Sequence, residues 1–460
     1  MRGAWVVLLA TTSCIPTTAG YGDVRHDVSR RMKGVDVRWD AHDDAPPVPK
    51  SWHTEELTAD RAARWAVWRH PAIQSAFADM GVARAELAGA LRLPNPEVSA
   101  SFGFSGDAQD PSVELDITMS LTSLLNLPNR ERAGRHRLAA GKAAVVKRAV
   151  EVAYAAKRAF VQAVAAEQAL ALQRSNLAAA VASAEAAAQL LEAGNVARLV
   201  LVNEQAMVEE LRIAVSDAEA NNVMAKQRLA AAIALESGDG MPPLPKALPK
   251  MPEEEADMKR LARLAAMGNL DLVRLEAEYA AAASRADAAE LAAWLPHLVA
   301  GVNLDRGGGA WSAGPVVGMA IPLFDQGQGP IGIAEAQMER ADADHRVVAV
   351  RVDRAVKSAV TRLAVRRAQV KQFEEKLLPL RDAVLDQTLL QYNAMSLGVF
   401  QLLQARRDQI RARTSYIGVM REYWKARLDL EQLARGSLPP DAAMMSSVDV
   451  SGPGGGGEDH

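Results

Sequence analysis

A single cysteine, Cys14, stands among the 460 residues. That excludes an intramolecular disulfide framework, so stability has to come from packing and assembly. No run of about 18 apolar residues occurs, which excludes a transmembrane helix. Neither sign of charge dominates: 53 basic and 56 acidic residues leave a net charge of -3. That balance argues against an electrostatic nucleic-acid binder. Aromatic residues make up only 5% of the chain. With abundant alanine, their scarcity favours long, closely packed helices over a bulky globular core. The 8 histidines are dispersed, and no pair has ligand spacing. No Ser/His/Asp or Cys/His set converges. The sequence therefore offers no metal site, no cofactor and no catalysis.

What is present is a pair of period-two stretches in an otherwise helical chain. From Leu295 to Leu323, Leu298, Ala300, Val302 and Leu304 alternate with Val299, Gly301, Asn303 and Asp305. After a loop at Arg306–Ala310, Val317, Met319, Ile321 and Leu323 are expected to share a second strand face. About 200 residues earlier, Pro96–Leu121 repeats the arrangement. There Val98, Ala100, Phe102 and Phe104 form one apolar row, and Val113, Leu115, Ile117, Met119 and Leu121 form another. Glu114, Asp116, Thr118 and Ser120 occupy the opposite face, and the loop Ser105–Ser112 is rich in turn formers. Strands of about nine residues, apolar on one side and polar on the other, suit a tilted membrane-spanning strand. The alternative is a half-buried hairpin on a soluble core.

The N-terminus reads as an export signal over residues 1–13: Arg2, a short apolar run and then small residues ahead of Cys14. The placement of Cys14 suggests a lipoprotein-type signal with the cysteine acylated. Residues 14–53 read as an extended arm. A first repeat covers 54–235: a helix to about Leu91, the hairpin, a long helix from about Asn129 to Ala193, and a helix from about Val196 to Leu235. That long helix, roughly 64 residues, would span about 95 Å. The Pro-rich segment 236–252 is a linker. A second repeat covers 253–436: a helix to about Ala293, the second hairpin, a long helix over about Gly329–Asn393, and a last helix over about Ser396–Arg435. Residues 437–460, rich in Gly, Ser and Pro, read as a disordered tail.

Two hairpins supply only four strands. An open sheet in lipid would leave backbone polar groups unpaired, at a cost of several kcal/mol each. Closed membrane barrels need about eight strands or more. The chain must therefore assemble, and three copies satisfy the count. The expected fold is mainly α with a membrane β-barrel: two repeats of helix, β-hairpin, long helix and helix, closing as a trimeric 12-stranded β-barrel joined to an α-helical periplasmic tunnel.

The chain also resembles a family, the TolC-like outer-membrane efflux proteins. The resemblance rests on Arg69–Phe77, Leu93–Val98, Gly314–Gly327 and Tyr392–Leu403 with the helix that follows to Gly436, in that order and duplicated. It implies a homotrimeric exit duct in the outer membrane of a Gram-negative bacterium, docking a periplasmic adaptor and an inner-membrane pump, with heavy-metal cations or drugs as cargo classes. The Cys14 and Asn95-Pro-Glu97 features look like the lipoprotein branch that serves resistance-nodulation-division pumps. By the same resemblance, Gly194, Asn195, Val196, Ser396, Leu397 and Gly398 form the periplasmic tip that meets the adaptor. Gln401 and Gln404 line the aperture, where many relatives place carboxylates. Amide rings there imply weak block by divalent cations. Met395 replaces the usual glycine at the second junction, and Glu204 could add a charge nearby. Glu114, Asp116 and Asn303 are expected to line the barrel lumen, with His297 facing it as well. Gly327-Gln-Gly329-Pro-Ile-Gly332 spells a dinucleotide motif, but no parallel βαβ unit follows. These glycines are read as turning the chain from strand to helix. The competing reading is a non-spanning periplasmic coiled-coil lipoprotein, structural or adaptor-like.

Overall fold

The computed structural model describes residues 20–39, 52–103, 112–236, 238–253, 257–307 and 310–440. Cys14, the expected signal segment 1–13, most of the loop after Gly103 and the last 20 residues, 441–460, lie outside them. Two compact units are built from interleaved segments.

The first unit takes its described residues from Met1–His26, Ser75–Val146 and Asp271–Val348. It holds the sheet: β1 (Glu97–Gly103), β2 (Ser112–Ser120), β3 (Val299–Gly307) and β4 (Ala310–Gly318). The order is β1-β2-β3-β4, antiparallel throughout, so the two hairpins pair with each other through β2 and β3. Both hairpins therefore form where period-two alternation placed them. Two boundaries differ. Arg306, Gly307 and Ala310 belong to the strands rather than to a loop, since Arg306 pairs with Trp311 and Gly307 with Ala310. The fourth strand ends at Gly318, so Met319, Ile321 and Leu323 do not extend it. Pro322 thus lies beyond the ladder, and Pro315 sits on edge strand β4, where a missing donor is tolerated. At Gly301 a Cβ would stand 2.0 Å from the Ile117 carbonyl oxygen, so only glycine permits that close strand approach.

The sheet is tied to its helices at one turn. Ser120 caps the short helix α4 (Leu121–Leu125). Thr122 Oγ1 donates to the Leu295 carbonyl and accepts from Leu298 N–H at 2.9 Å. Asn126 donates to the Ala288 carbonyl at 3.0 Å. His297, expected to face the lumen, sits instead in this turn at φ 48 and outside the strands. The unit's helical part comprises most of α3 (Pro71–Ala90), the start of α5 (Leu127–Glu192), α8 (Leu270–Trp294) and the start of α9 (Gln328–Gln372).

The second unit takes its described residues from Asp27–Gln74, Lys147–Leu270 and Ala349–His460. It contains α2 (Ala59–Arg69), the remainder of α5, α6 (Arg198–Ala232), α7 (Met258–Met267), the remainder of α9, α10 (Leu378–Asn393) and α11 (Val399–Ala434). Its core rows are spaced at helical intervals: Val150, Tyr154, Phe160 and Val164 on α5, and Tyr423, Leu430 and Leu433 on α11, all buried. Trp65 is buried against Trp52 and Trp68, with ring centroids 4.8 and 5.4 Å away, as packing anchors would be.

Several expected helices are interrupted, and the residues explain why. The helix expected over 54–91 breaks at His70, because Pro71 starts a new one. The helix expected over 253–293 breaks at Gly268-Asn269. The long helix expected over 329–393 contains a π-turn at Phe373–Leu377, where Leu378 N–H reaches back to the Phe373 carbonyl. Pro379, just beyond, lacks a donor and crowds the carbonyl four residues earlier, which favours the wider turn. The arm expected to be extended over 14–53 contains helix α1 (Tyr21–Arg31), which buries Val24 and Val28. Arg31 on α1 donates to the Gly268 carbonyl at 2.9 Å and the Arg435 carbonyl at 2.8 Å, capping two chain turns at once. The tail expected to be disordered from 437 begins packed: Ser437 and Leu438 are buried and accept hydrogen bonds from Gln432.

Candidate functional site

Two regions carry the expected functional residues. The first is the sheet. Antiparallel partners directly opposite one another project from the same face, so the register assembles side chains into rungs. Val98, Ile117, Val302 and Pro315 form one rung; Ala100, Leu115, Leu304 and Ala313 form the next. Phe102, Val113, Arg306 and Trp311 form a third. This face is apolar across all four strands. It is also uncovered: Phe102 is 66%, Trp311 60% and Val317 73% exposed. An apolar patch of that kind marks a surface made for lipid or protein. Arg306, the one charge on these rungs, lies 5.8 Å from the Trp311 ring at the strand ends, where a long cationic side chain can reach water.

The opposite face is polar. Ser101, Glu114, Asp305 and Ser312 form one rung, and Ser99, Asp116, Asn303 and Gly314 the next. The structure brings Glu114, Asp116 and Asn303 together, as alternation predicts. Asn303 Nδ2 donates to Glu114 at 2.9 Å and to Asp116 at 2.8 Å. Glu114 stands directly opposite Asp305, a like-charge pair that sheets ordinarily avoid. Water or a cation-rich environment on this side would relieve it.

The second region is the pair of helix–helix junctions in the other unit. At the α5–α6 junction Gly194 has φ +73; its N–H reaches the Leu191 carbonyl, and Asn195 N–H reaches that of Leu190. That is a Schellman turn. At the α10–α11 junction Met395 has φ +58, with matching bonds from Met395 N–H to Tyr392 and Ser396 N–H to Gln391. The two junctions share one geometry, so Met395 holds a conformation that glycine would hold without steric cost. Val196 and Leu397 follow their turns, and both are half-buried. The next residue is extended in each case and opens the second helix, Ala197 before α6 and Gly398 before α11.

Gln401 and Gln404 lie exposed one turn apart on α11. Gln404 donates to Asp408 at 3.2 Å. Asp408 in turn pairs with Arg381 at 3.4 Å. Glu204, whose facing was open from sequence, is buried at 6% exposure. It accepts from Ser183 on α5 and pairs with Arg407 on α11 at 3.2 Å. Asp382 accepts from Gln409 and from Arg413, binding α10 to α11. Sequence reading missed Arg407, Asp382 and Asp408. The density of arginine in α11 was visible, but which carboxylate each would meet depends on helix pairing. Among the described residues no cluster of His, Cys, Asp and Glu fit to hold a metal ion occurs. No helix among them is long and apolar enough to cross a membrane.

No family model matches the chain. One curated relative is the cobalt-zinc-cadmium resistance protein CzcC of Cupriavidus metallidurans, 26% identical over 191 residues. That match covers 41% of this chain and 44% of the relative's length. A membrane protein from Pseudomonas aeruginosa superposes with a TM-score of 0.70 at 16% identity, covering 86% of this chain and 97% of that one. The CmeC outer membrane channel of Campylobacter jejuni gives 0.69 at 13% identity, covering 88% and 94%. The chain resembles the TolC-like outer-membrane channels and has their fold.

Proposed function

We propose that this protein is the outer-membrane exit duct of a tripartite efflux system. One observation carries the reading: a four-stranded sheet, apolar on one exposed face and polar on the other, with both edge strands unpaired among the described residues. Such a sheet is stable in lipid only when its edges are closed. Three copies would close a 12-stranded barrel, put the apolar rungs toward lipid, and turn Glu114, Asp116 and Asn303 to an aqueous lumen. The helices would continue the duct as a periplasmic tunnel. Its Gly194–Val196 and Ser396–Gly398 turns would meet a periplasmic adaptor, and Gln401 and Gln404 would line its aperture. An acylated Cys14 would add a lipid anchor. The partners are an adaptor and an inner-membrane pump, and direction and energy come from the pump.

Heavy-metal cations are the favoured cargo class. The support is the partial likeness to a cobalt-zinc-cadmium resistance protein. Carboxylates on the polar sheet face also favour cations. The test is extraction from outer membranes followed by mass measurement and planar-bilayer recording. We expect a mass of three chains and a stable conductance. A monomer in the aqueous fraction would exclude the duct and favour the non-spanning lipoprotein. Growth of a deletion strain on divalent metals and on drugs then separates the cargo classes.

A further inference from the structure

The second unit contains a cavity of about 610 Å³ lined by the turn that follows α1 and by α2, α5, α7 and α11. Four cations border it: Lys33, Arg64, Lys157 and Arg435. Among the described residues two carboxylates do, Asp60 and Glu431, and both are engaged. Asp60 pairs with Lys157 at 2.6 Å, and Glu431 pairs with Arg427 at 3.1 Å. Among the described residues Lys33, Arg64 and Arg435 have no carboxylate partner within ion-pair distance. On the cavity floor Tyr154 is 3% exposed. The Arg435 guanidinium lies beside its phenol. Burial holds that phenol in its protonated form.

The site thus offers three cations that have no ion-pair partner among the described residues. Arg435 is half-buried, so its charge carries a desolvation cost that a bound anion would offset. Guanidinium forks match the oxygens of phosphate and carboxylate groups. We propose that this cavity is a binding site for a phosphate-class oxyanion, distinct from the sheet and the helix–helix junctions. It does not depend on the conduit reading, because none of its residues belongs to either region.

The test is titration calorimetry on the purified full-length protein in detergent at low ionic strength. Inorganic pyrophosphate probes a free oxyanion, and nanodiscs containing phosphatidylglycerol, compared with phosphatidylcholine alone, probe a lipid headgroup. The expected result is saturable binding of one of these probes, weakened by added salt. Losing the two rim cations in the Lys33→Gln/Arg64→Gln double variant should weaken it by about tenfold or more, roughly one charge-assisted contact. These rim side chains are exposed, so the fold should survive. Arg435→Gln should weaken it further. Absence of binding by both probes, or equal affinity in the wild type and the rim variant, would overturn the proposal.

Discussion

Replacing Arg407 with methionine should be among the most damaging single changes in the helical unit. Glu204 is buried, with its side chain 8% exposed, and its ionic partner is Arg407 at 3.2 Å. Removing the arginine leaves a buried carboxylate whose one remaining partner among the described residues is the Ser183 hydroxyl. Breaking a buried pair in this way costs about 3–5 kcal/mol. The lower end applies here, because the Arg407 side chain is 19% exposed and water can follow it in. Removing both charges, as in Glu204→Leu/Arg407→Met, should recover most of the loss, since the desolvation cost disappears with the pair. Guanidinium unfolding followed by far-UV circular dichroism on the wild type, both single variants and the double variant gives the coupling. A loss under about 1 kcal/mol in Arg407→Met, or a double variant no better than the single, would refute the argument.

Other expectations follow from the same geometry. Met395→Gly should stabilise the protein by about 1 kcal/mol per chain, because the residue adopts a left-handed backbone and its side chain is 94% exposed, so no packing is lost. A thermal melt reads this, and a lower midpoint would contradict it. His70 accepts a hydrogen bond from Ala72 N–H at 3.1 Å, and its pKa lies below the usual 6.5 through burial and the nearby Arg148 charge. The unfolded chain therefore takes up the proton first, and stability should fall as pH drops below about 6.5. His70→Asn, which keeps a cap acceptor, should flatten that part of the pH profile; an unchanged slope would count against it. Single-channel recording should find weak block by periplasmic divalent cations, and Gln401→Glu with Gln404→Glu should strengthen it. Strong block in the wild type would remove these amides from the aperture.

The sheet was legible because its signal is local. Alternation at Val113–Met119 and Ala300–Leu304 fixes which face each residue takes, and that is what the register reproduces. The two helix–helix junctions carry the same turn, even though the first has Gly194 and the second Met395. Breaks inside helices were harder. His70 and the π-turn at Phe373–Leu377 each depend on one proline in an otherwise helical pattern, and a proline can begin, kink or widen a helix. Helix α1 lies in a polar stretch whose helical state is fixed by distant partners, the carbonyls of Gly268 and Arg435. The facing of Glu204 was out of reach for the same reason, because its environment comes from residues 21 and 203 positions away on other helices.

The central claim is that the sheet spans a membrane with its two faces in different solvents. Single cysteines placed at each position from Val113 to Met119 in a Cys14→Ser background test it directly, with a membrane-impermeant thiol reagent applied to outer-membrane vesicles. The account predicts strict alternation: substitutions at Glu114, Asp116 and Thr118 label, and those at Val113, Leu115, Ile117 and Met119 are protected. Uniform labelling along the strand would mean that both faces meet water, and the membrane-spanning duct would be wrong.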